Sequence, residues 1–307
     1  MFKKLVIIVL ILFTIISFAL ASQNEMFLSR GKAGKAASFL NSRFDPYGVS
    51  TGAAIVSFAS TIESIFWNPA GLSGIESPEL ALSGSEFSFN RYFSYVSFAM
   101  PVGENRDKAL GFSLLSSYVG DIASYSEDDV RGGNYYYWGN SFIFTYSQPM
   151  DLLKFGFNVK VVNELVEKST AFGGALDIGL IVTPPLPIRL GISIQNGFPG
   201  VMKWQDESKV QTMGSSYLLS IGYISFNGDT KMGITFLKDS DSEDFNTNLG
   251  GEFTFSFISI RLGFLKGSFS GGLGLDFSVA RVNYAFYDDS FLDMSPGSHL
   301  ISTVISF

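Results

Sequence analysis

Ile258-Ser259-Ile260-Arg261-Leu262-Gly263-Phe264-Leu265 places Ile258, Ile260, Leu262 and Phe264 on one face of an extended chain and Ser259, Arg261 and Gly263 on the other. Successive side chains of a strand point to opposite sides, so this period of two predicts a strand with one apolar face. The alternation recurs on both sides of the stretch. Leu273, Leu275, Phe277 and Val279 oppose Gly272, Gly274, Asp276 and Ser278; Leu190, Ile192 and Ile194 oppose Arg189, Gly191, Ser193 and Gln195. A lipid-facing wall around a polar lumen gives such a pattern, and so does a sandwich with a wet outer face. The polar face decides between them. It is mostly Gly and Ser with single charges at Lys160, Asp177, Arg189, Glu252, Arg261 and Asp276, where a soluble sheet carries more Lys, Glu and Thr. Small residues suit a plugged lumen, so the reading is an all-β, antiparallel transmembrane barrel.

Fourteen segments carry the alternation: 79–88, 92–98, 109–118, 142–146, 155–161, 176–182, 190–194, 217–225, 232–237, 249–257, 258–265, 273–279, 282–287 and 299–307. Turn residues separate most of them, among them Pro101-Val102-Gly103, Pro184-Pro185, Asn227-Gly228-Asp229 and Lys266-Gly267. The chain ends on Phe307, and a terminal aromatic on the last strand is a mark of outer-membrane barrels. Tyr135, Tyr136, Tyr137, Trp138, Tyr146 and Tyr287 sit near strand ends, as a girdle at the lipid–water boundary requires. The acidic runs Glu127-Asp128-Asp129 and Asp239 to Asp244 fall between strands, where long outer loops belong.

Composition narrows the classes further. Charged residues make up 16% of the chain, against about 25% in an average globular protein. Beyond the N-terminus no apolar run approaches the ~20 residues of a membrane helix, which excludes a polytopic helical protein. A net charge of −7 argues against nucleic acid as a partner. Absence of cysteine removes disulfides and thiolate chemistry. Lys3 and Lys4, the apolar run from Leu5 to Leu20 and Ala19-Leu20-Ala21 form a signal peptide over residues 1–21, so the mature chain is exported.

Residues 22–78 differ in character from the alternating segments. A short helix is expected within 24–40, and Phe44-Asp45-Pro46-Tyr47-Gly48 reads as a turn. In the small, apolar stretch Gly52 to Gly71, Ile55, Phe58, Ile62, Ile65 and Phe66 recur at three- and four-residue steps, which predicts a short amphipathic helix. Asn68 then caps a turn begun by Pro69. A fourteen-stranded barrel is too wide to be filled by its own side chains, so this region is expected to plug it. Ile55, Phe58, Ile65, Phe66 and Trp67 would line an apolar path. Arg189 and Arg261 are candidates to anchor the hatch or a carboxylate ligand, but pairing with Asp177, Glu252 or Asp276 is the expected job, because an isolated charge in a dry lumen is costly.

The residues offer no enzyme. His299, the one histidine, begins the last strand, lies near Asp288, Asp289 and Asp293 in sequence only, and is expected to be structural or interfacial. Asp239-x-Asp241-x-Glu243 resembles the start of a calcium loop, but Asp244 stands where Gly is needed and Gly250 where the bidentate Glu belongs. The expectation is a solvated acidic loop, with no catalytic residue, metal or cofactor.

Ala37-Ser38-Phe39-Leu40, Gly52-Ala53-Ala54 and Phe66-Trp67-Asn68-Pro69-Ala70-Gly71-Leu72 resemble the N-terminal hatch of the FadL/PorV superfamily of outer-membrane β-barrels. Thr51 stands where that family's segment has its first glycine. Gly297-Ser298-His299 is similar to the PorV/PorQ-like branch. The resemblance implies a hatch over residues 22–78, held by Gly52, Ala53, Trp67, Asn68, Pro69, Ala70 and Gly71, inside a barrel formed by 79–307. It implies residence in the outer membrane of a diderm bacterium and passive transport of hydrophobic small molecules such as fatty acids. The alternative it carries is a PorV-like structural or protein-docking barrel in secretion or surface attachment. The partners implied are the lipid bilayer, a hydrophobic ligand and, in the alternative, another protein.

Overall fold

Each of the fourteen alternating segments falls on its own strand of one sheet, and several of the strands run well past it. A computed structural model describes residues 35–87, 90–125, 131–205, 210–240, 242, 245–288 and 297–307. The leader at 1–21, most of the helix expected within 24–40, Glu127-Asp128-Asp129, and Asp241, Glu243 and Asp244 lie outside the described residues.

The strands are β1 (Glu79–Phe87), β2 (Arg91–Val102), β3 (Lys108–Tyr125), β4 (Arg131–Met150), β5 (Leu153–Val166), β6 (Ser169–Val182), β7 (Ile188–Trp204), β8 (Val210–Thr212), β9 (Ser216–Ile224), β10 (Thr230–Asp239), β11 (Phe245–Phe255), β12 (Ile258–Leu265), β13 (Ser268–Phe277), β14 (Ala280–Tyr287) and β15 (Ser298–Ser306). Of these fifteen, β8 pairs only with the far end of β7. The other fourteen form an antiparallel ring, closed where β1 meets β15 (Glu79↔Ser306 to Glu86↔His299). Closure leaves no open sheet edge within the ring, which a strand-built protein requires in lipid.

The two faces of β12 show what surrounds the ring. Ile260 and Leu262 are 52% and 59% exposed, whereas Arg261 beside them is 2% exposed. Apolar side chains point out and a charge points in. That inversion marks a wall whose outer solvent is lipid. The chain reverses tightly at Asn227-Gly228-Asp229, at Ser256-Phe257 and at Ser278-Val279, at the end where β1 begins and Phe307 finishes. We call this the turn end; in barrels of this architecture short turns face the periplasm.

Near the opposite, loop end, β3 and β4 outrun their neighbours. Pairing with β2 stops at Arg91↔Val119 and with β5 at Tyr137↔Val166, yet β3 and β4 stay paired to Tyr125↔Arg131. The hairpin therefore projects roughly 20 Å past both neighbours, at about 3.3 Å per residue. It passes beyond the lipid, so its sequence lacks the apolar alternation that marked only 142–146 of β4. The expected aromatic girdle divides here. Tyr136 and Trp138 are exposed, whereas Tyr137 packs inward on Phe39 and donates to Glu164. Tyr287 also packs against the core rather than facing lipid.

The segment before β1 contains a 3-10 turn (Ser38–Asn41), the one-turn helices α1 (Pro46–Ser50), α2 (Ile55–Phe58) and α3 (Ser64–Trp67), and a second 3-10 turn (Pro69–Gly74). Two expectations need correction. Phe44 to Gly48 opens a helix instead of making a plain turn, because the Asp45 side chain accepts from Gly48 N–H at its N-terminus. The helix expected across Ile55 to Phe66 is broken between α2 and α3. Ala59 turns extended (φ −50°, ψ 132°), and the Ile62 N–H donates to the β1 carboxylate of Glu79 at 3.0 Å. A wall contact thus replaces the helical hydrogen bond.

Candidate functional site: the lumen and its N-terminal segment

Residues 35–78 lie against the inner face of the ring, and their packing explains the glycines of that face. Asn68 caps the Pro69–Gly74 turn, its Oδ1 accepting from Ala70 N–H at 3.2 Å. Its Nδ2 donates to Val56 O at 2.7 Å and to Leu180 O of β6 at 3.1 Å. One amide therefore joins the turn, α2 and the wall. Where the segment backbone touches the strands there is no room for a side chain. A Cβ on Gly156 would overlap the Pro69 carbonyl and the Ala70 nitrogen, and one on Gly191 the Val56 carbonyl. Gly250 and Gly263 lie equally close to Thr51 and Gly52. Gly52 and Ala53 take left-handed backbone (φ 55° and 62°), a conformation alanine adopts at a cost.

Three polar clusters tie segment to wall. The first centres on Asp45, 1% exposed. Its Oδ2 accepts from Gly48 N–H at 2.7 Å and Trp67 Nε1–H at 3.1 Å, and its Oδ1 from the Tyr95 hydroxyl of β2 at 3.0 Å. Burial, and then the charge of Glu63, push this carboxyl up to about 7.

The second cluster encloses Tyr47. The Arg261 guanidinium stacks 4.2 Å from the centre of its ring. The Glu252 carboxylate accepts from Arg261 Nε at 2.6 Å, Lys231 Nζ at 2.7 Å and the Tyr47 hydroxyl at 3.2 Å. Burial raises the Tyr47 phenol above its ordinary range, so it stays a neutral donor.

The third is Glu63, fully buried, paired with Arg281 at 3.0 Å and bonded by Asn283 Nδ2 at 3.2 Å.

The six charges expected in the lumen have different surroundings. Lys160 pairs with Asp177 at 2.8 Å, and Arg261 with Glu252. Arg189 is the correction: its NH1 donates to the carbonyls of Pro184, Leu186 and Ile188, the close backbone of its own turn. Asp276 is exposed and faces a cavity at the turn end. Asp239, expected in a solvated loop, is buried at the end of β10, bonded by Lys266 Nζ at 2.7 Å with Arg43 3.8 Å away. His299 sits on the outer face against Tyr284 and Phe286, with Tyr284 OH 2.8 Å from Nδ1.

Of the residues expected to line an apolar path, Ile55, Phe58 and Ile65 are packed into the core. Phe66 and Trp67 border a cavity of about 10 Å³, together with Leu115, Ile143 and Arg43. That is room for one water. A polar cavity of about 450 Å³ opens at the turn end, bordered by Tyr47 and Thr61 of the segment and Lys231, Glu252, Asp276 and Arg281 of the wall. The segment lies between the two: Asp45 and Trp67 border the first, Tyr47 the second. Sequence reasoning passed over Arg43, Asp45, Tyr47 and Glu63. A single charge inside an apolar exported segment was the available signal, since each needs a buried partner.

A closed antiparallel ring with a lipid-facing exterior, carrying its own N-terminal segment in the lumen, defines an outer-membrane β-barrel. Comparison with solved structures agrees on that fold. The "TodX deltaS2S3 mutant monoaromatic hydrocarbon channel" is similar with a TM-score of 0.61 at 12% identity, over 86% of this chain and 98% of that one. A Pseudomonas aeruginosa FadL homologue is similar with a TM-score of 0.53 at 11% identity, over 90% of this chain and 100% of that one. The TodX deltaS2 mutant gives 0.58 at 13% identity, over 86% and 99%. No protein-family model and no curated protein sequence matches the chain.

Proposed function

We propose that this barrel is a FadL-like passive channel for hydrophobic small molecules and that residues 22–78 are its hatch. The observation that carries the reading is the segment itself. Val49, Ala53, Ala54, Ile55, Val56 and Ile62 are wholly buried inside the ring, so a solute crossing the barrel must displace them or pass beside them. The likeness in fold to a hydrocarbon channel and to a FadL homologue supports the solute class. The wall around the segment contributes Leu115, Ile143 and Ile181 as apolar surface. No enzymatic step is assigned.

The test is uptake of labelled fatty acid or alkane into proteoliposomes, by the full chain and by a form lacking residues 22–78 whose heat-modifiable gel mobility shows an intact ring. Transport by the full chain that rises when the segment is removed is the expected result. Negligible uptake by both forms overturns the reading.

A second reading, a protein-docking barrel, is favoured by one observation. The projecting β3–β4 hairpin extends beyond both neighbouring strands and carries exposed Tyr125 and Tyr136. Strand edges outside a ring are ready templates for another chain. A photo-crosslinking residue in place of Tyr136 should capture a neighbouring protein in whole cells if docking is the role. Capture of lipid alone counts against it.

A further inference from the structure

We propose that Asp45 is a proton-responsive latch that holds the N-terminal segment against the β2 wall. The proposal rests on the reading of that segment as a hatch and adds what regulates it.

The geometry is that of a fastening. Asp45 joins three places far apart in the chain: the start of α1 through Gly48 N–H, the end of α3 through Trp67 Nε1–H, and β2 through the Tyr95 hydroxyl. Trp67 in turn lies flat on Gly48, where no larger residue fits. Two turns of the segment and one strand of the wall thus meet at a single carboxyl, which borders the smaller cavity.

The charges around it are unevenly matched. On the segment, Glu63 is held by Arg281 and Asn283, and Arg43 stands over the Trp67 ring at 5.3 Å. Tyr47 is bound by Glu252 and Lys231. From the wall, Glu79 of β1 faces the Glu63 side, Tyr95 of β2 touches Asp45 itself, and Lys160 of β5 is taken by Asp177. No ion pair to Asp45 occurs among the described residues, whereas Glu63, Asp177, Asp239 and Glu252 each take a cation.

Both protonation states can satisfy the hydrogen bonds. Ionised, the carboxylate accepts all three donors. Protonated on Oδ1, it donates to the Tyr95 oxygen while Oδ2 keeps Gly48 and Trp67. The ionised form alone carries a buried, unpaired charge beside Glu63. Asp45 sits near 7 when lodged, above the 3.8 of a free carboxyl. Its protonation therefore favours the lodged segment fully below about pH 4, and that support is lost as pH rises through 7.

The experiment uses full-length barrel in proteoliposomes, with Trp138→Phe and Trp204→Phe leaving Trp67 as the one indole. Acrylamide quenching of Trp67 is read from pH 5 to 8.5, with solute uptake measured in parallel. Quenching should rise several-fold with a midpoint near 7 in this background and stay flat with Asp45→Asn. Tyr95→Phe should raise it at every pH. Quenching that ignores pH, or a pH response that survives Asp45→Asn, overturns the latch. A Trp67 response without any change in uptake keeps the latch and overturns the hatch. Glu63→Gln, next to Asp45 but outside its hydrogen bonds, should move the midpoint down and leave the response in place.

Discussion

Gly156→Val is expected to loosen the segment while leaving the ring assembled. Gly156 lies on the inner face of β5, and a side chain there would meet the carbonyl and nitrogen of the Pro69-Ala70 peptide, which cannot swing aside as a side chain can. Overpacking of this kind costs about 1–3 kcal/mol. If the strain falls on the lodged state alone, the dislodged fraction rises roughly 5- to 140-fold, at 1.4 kcal/mol per factor of ten. Because the chain has no cysteine, Ser57→Cys supplies a clean reporter from a fully buried position on α2. Its maleimide labelling rate should rise by that factor in the Gly156→Val background. Gly133→Val, on the projecting hairpin with open space around it, should leave the rate unchanged. Equal labelling in both backgrounds would show that the Asn68-Pro69 turn does not depend on the glycine face of the wall.

The second large effect concerns Glu252. Its carboxylate answers two cations and the Tyr47 hydroxyl, and both Glu252 and Arg261 are nearly inaccessible. Glu252→Gln leaves Arg261 buried beside Lys231 without a negative charge. Breaking a buried pair on one side costs about 3–5 kcal/mol. The expected result is a markedly lower urea concentration at the midpoint of unfolding, read by loss of heat-modifiable mobility. Adding Arg261→Met should restore part of the loss, because the charge left unpaired is then removed. An unchanged midpoint in Glu252→Gln would mean that water entering from the turn-end cavity solvates the cluster. Arg106→Ala, on the exposed turn between β2 and β3, should stay within about 0.5 kcal/mol of the parent.

The wall was legible in the sequence because lipid imposes a period of two wherever a strand crosses it. Ile258 to Leu265 shows this along its whole length. The same cause explains the elements that escaped notice. Beyond the lipid nothing enforces alternation, so the outer halves of β3 and β4 and the short β8 left no trace. The irregular stretch of β7 was equally silent. Between Ile194 and Val201 it carries extra residues against β6, and Asn196 takes a left-handed backbone (φ 55°) that no apolar pattern announces. In the lumen, the Asn68-Pro69 cap was readable because capping is local. Apart from Gly48, which Asp45 caps locally, the partners named for Asp45, Tyr47 and Glu63 lie 22 to 220 residues away, at Trp67, Tyr95, Glu252, Arg281 and Asn283. Single-sequence reasoning reaches such pairs only by asking which charge lacks a neighbour. It failed for Arg189, where the turn's own carbonyls were nearer than any acid.

The seam between β1 and β15 bears on how the barrel is made. Elsewhere each strand pairs with one close in sequence, but Glu79 meets Ser306 and the Phe307 N–H reaches Pro78 O at 3.0 Å. Loop-closure entropy grows only logarithmically, at about 0.6 kcal/mol per doubling of length. Joining these strands therefore costs about 2.4 kcal/mol more than joining neighbours some four doublings closer. The paired positions from Glu79↔Ser306 to Glu86↔His299 can offset that. Pro78 is also where the lumen segment stops, so the far end of β15 fastens the root of the structure laid inside. Enclosure of the segment and completion of the wall are then one event, and a chain cut short before β15 would lose both together.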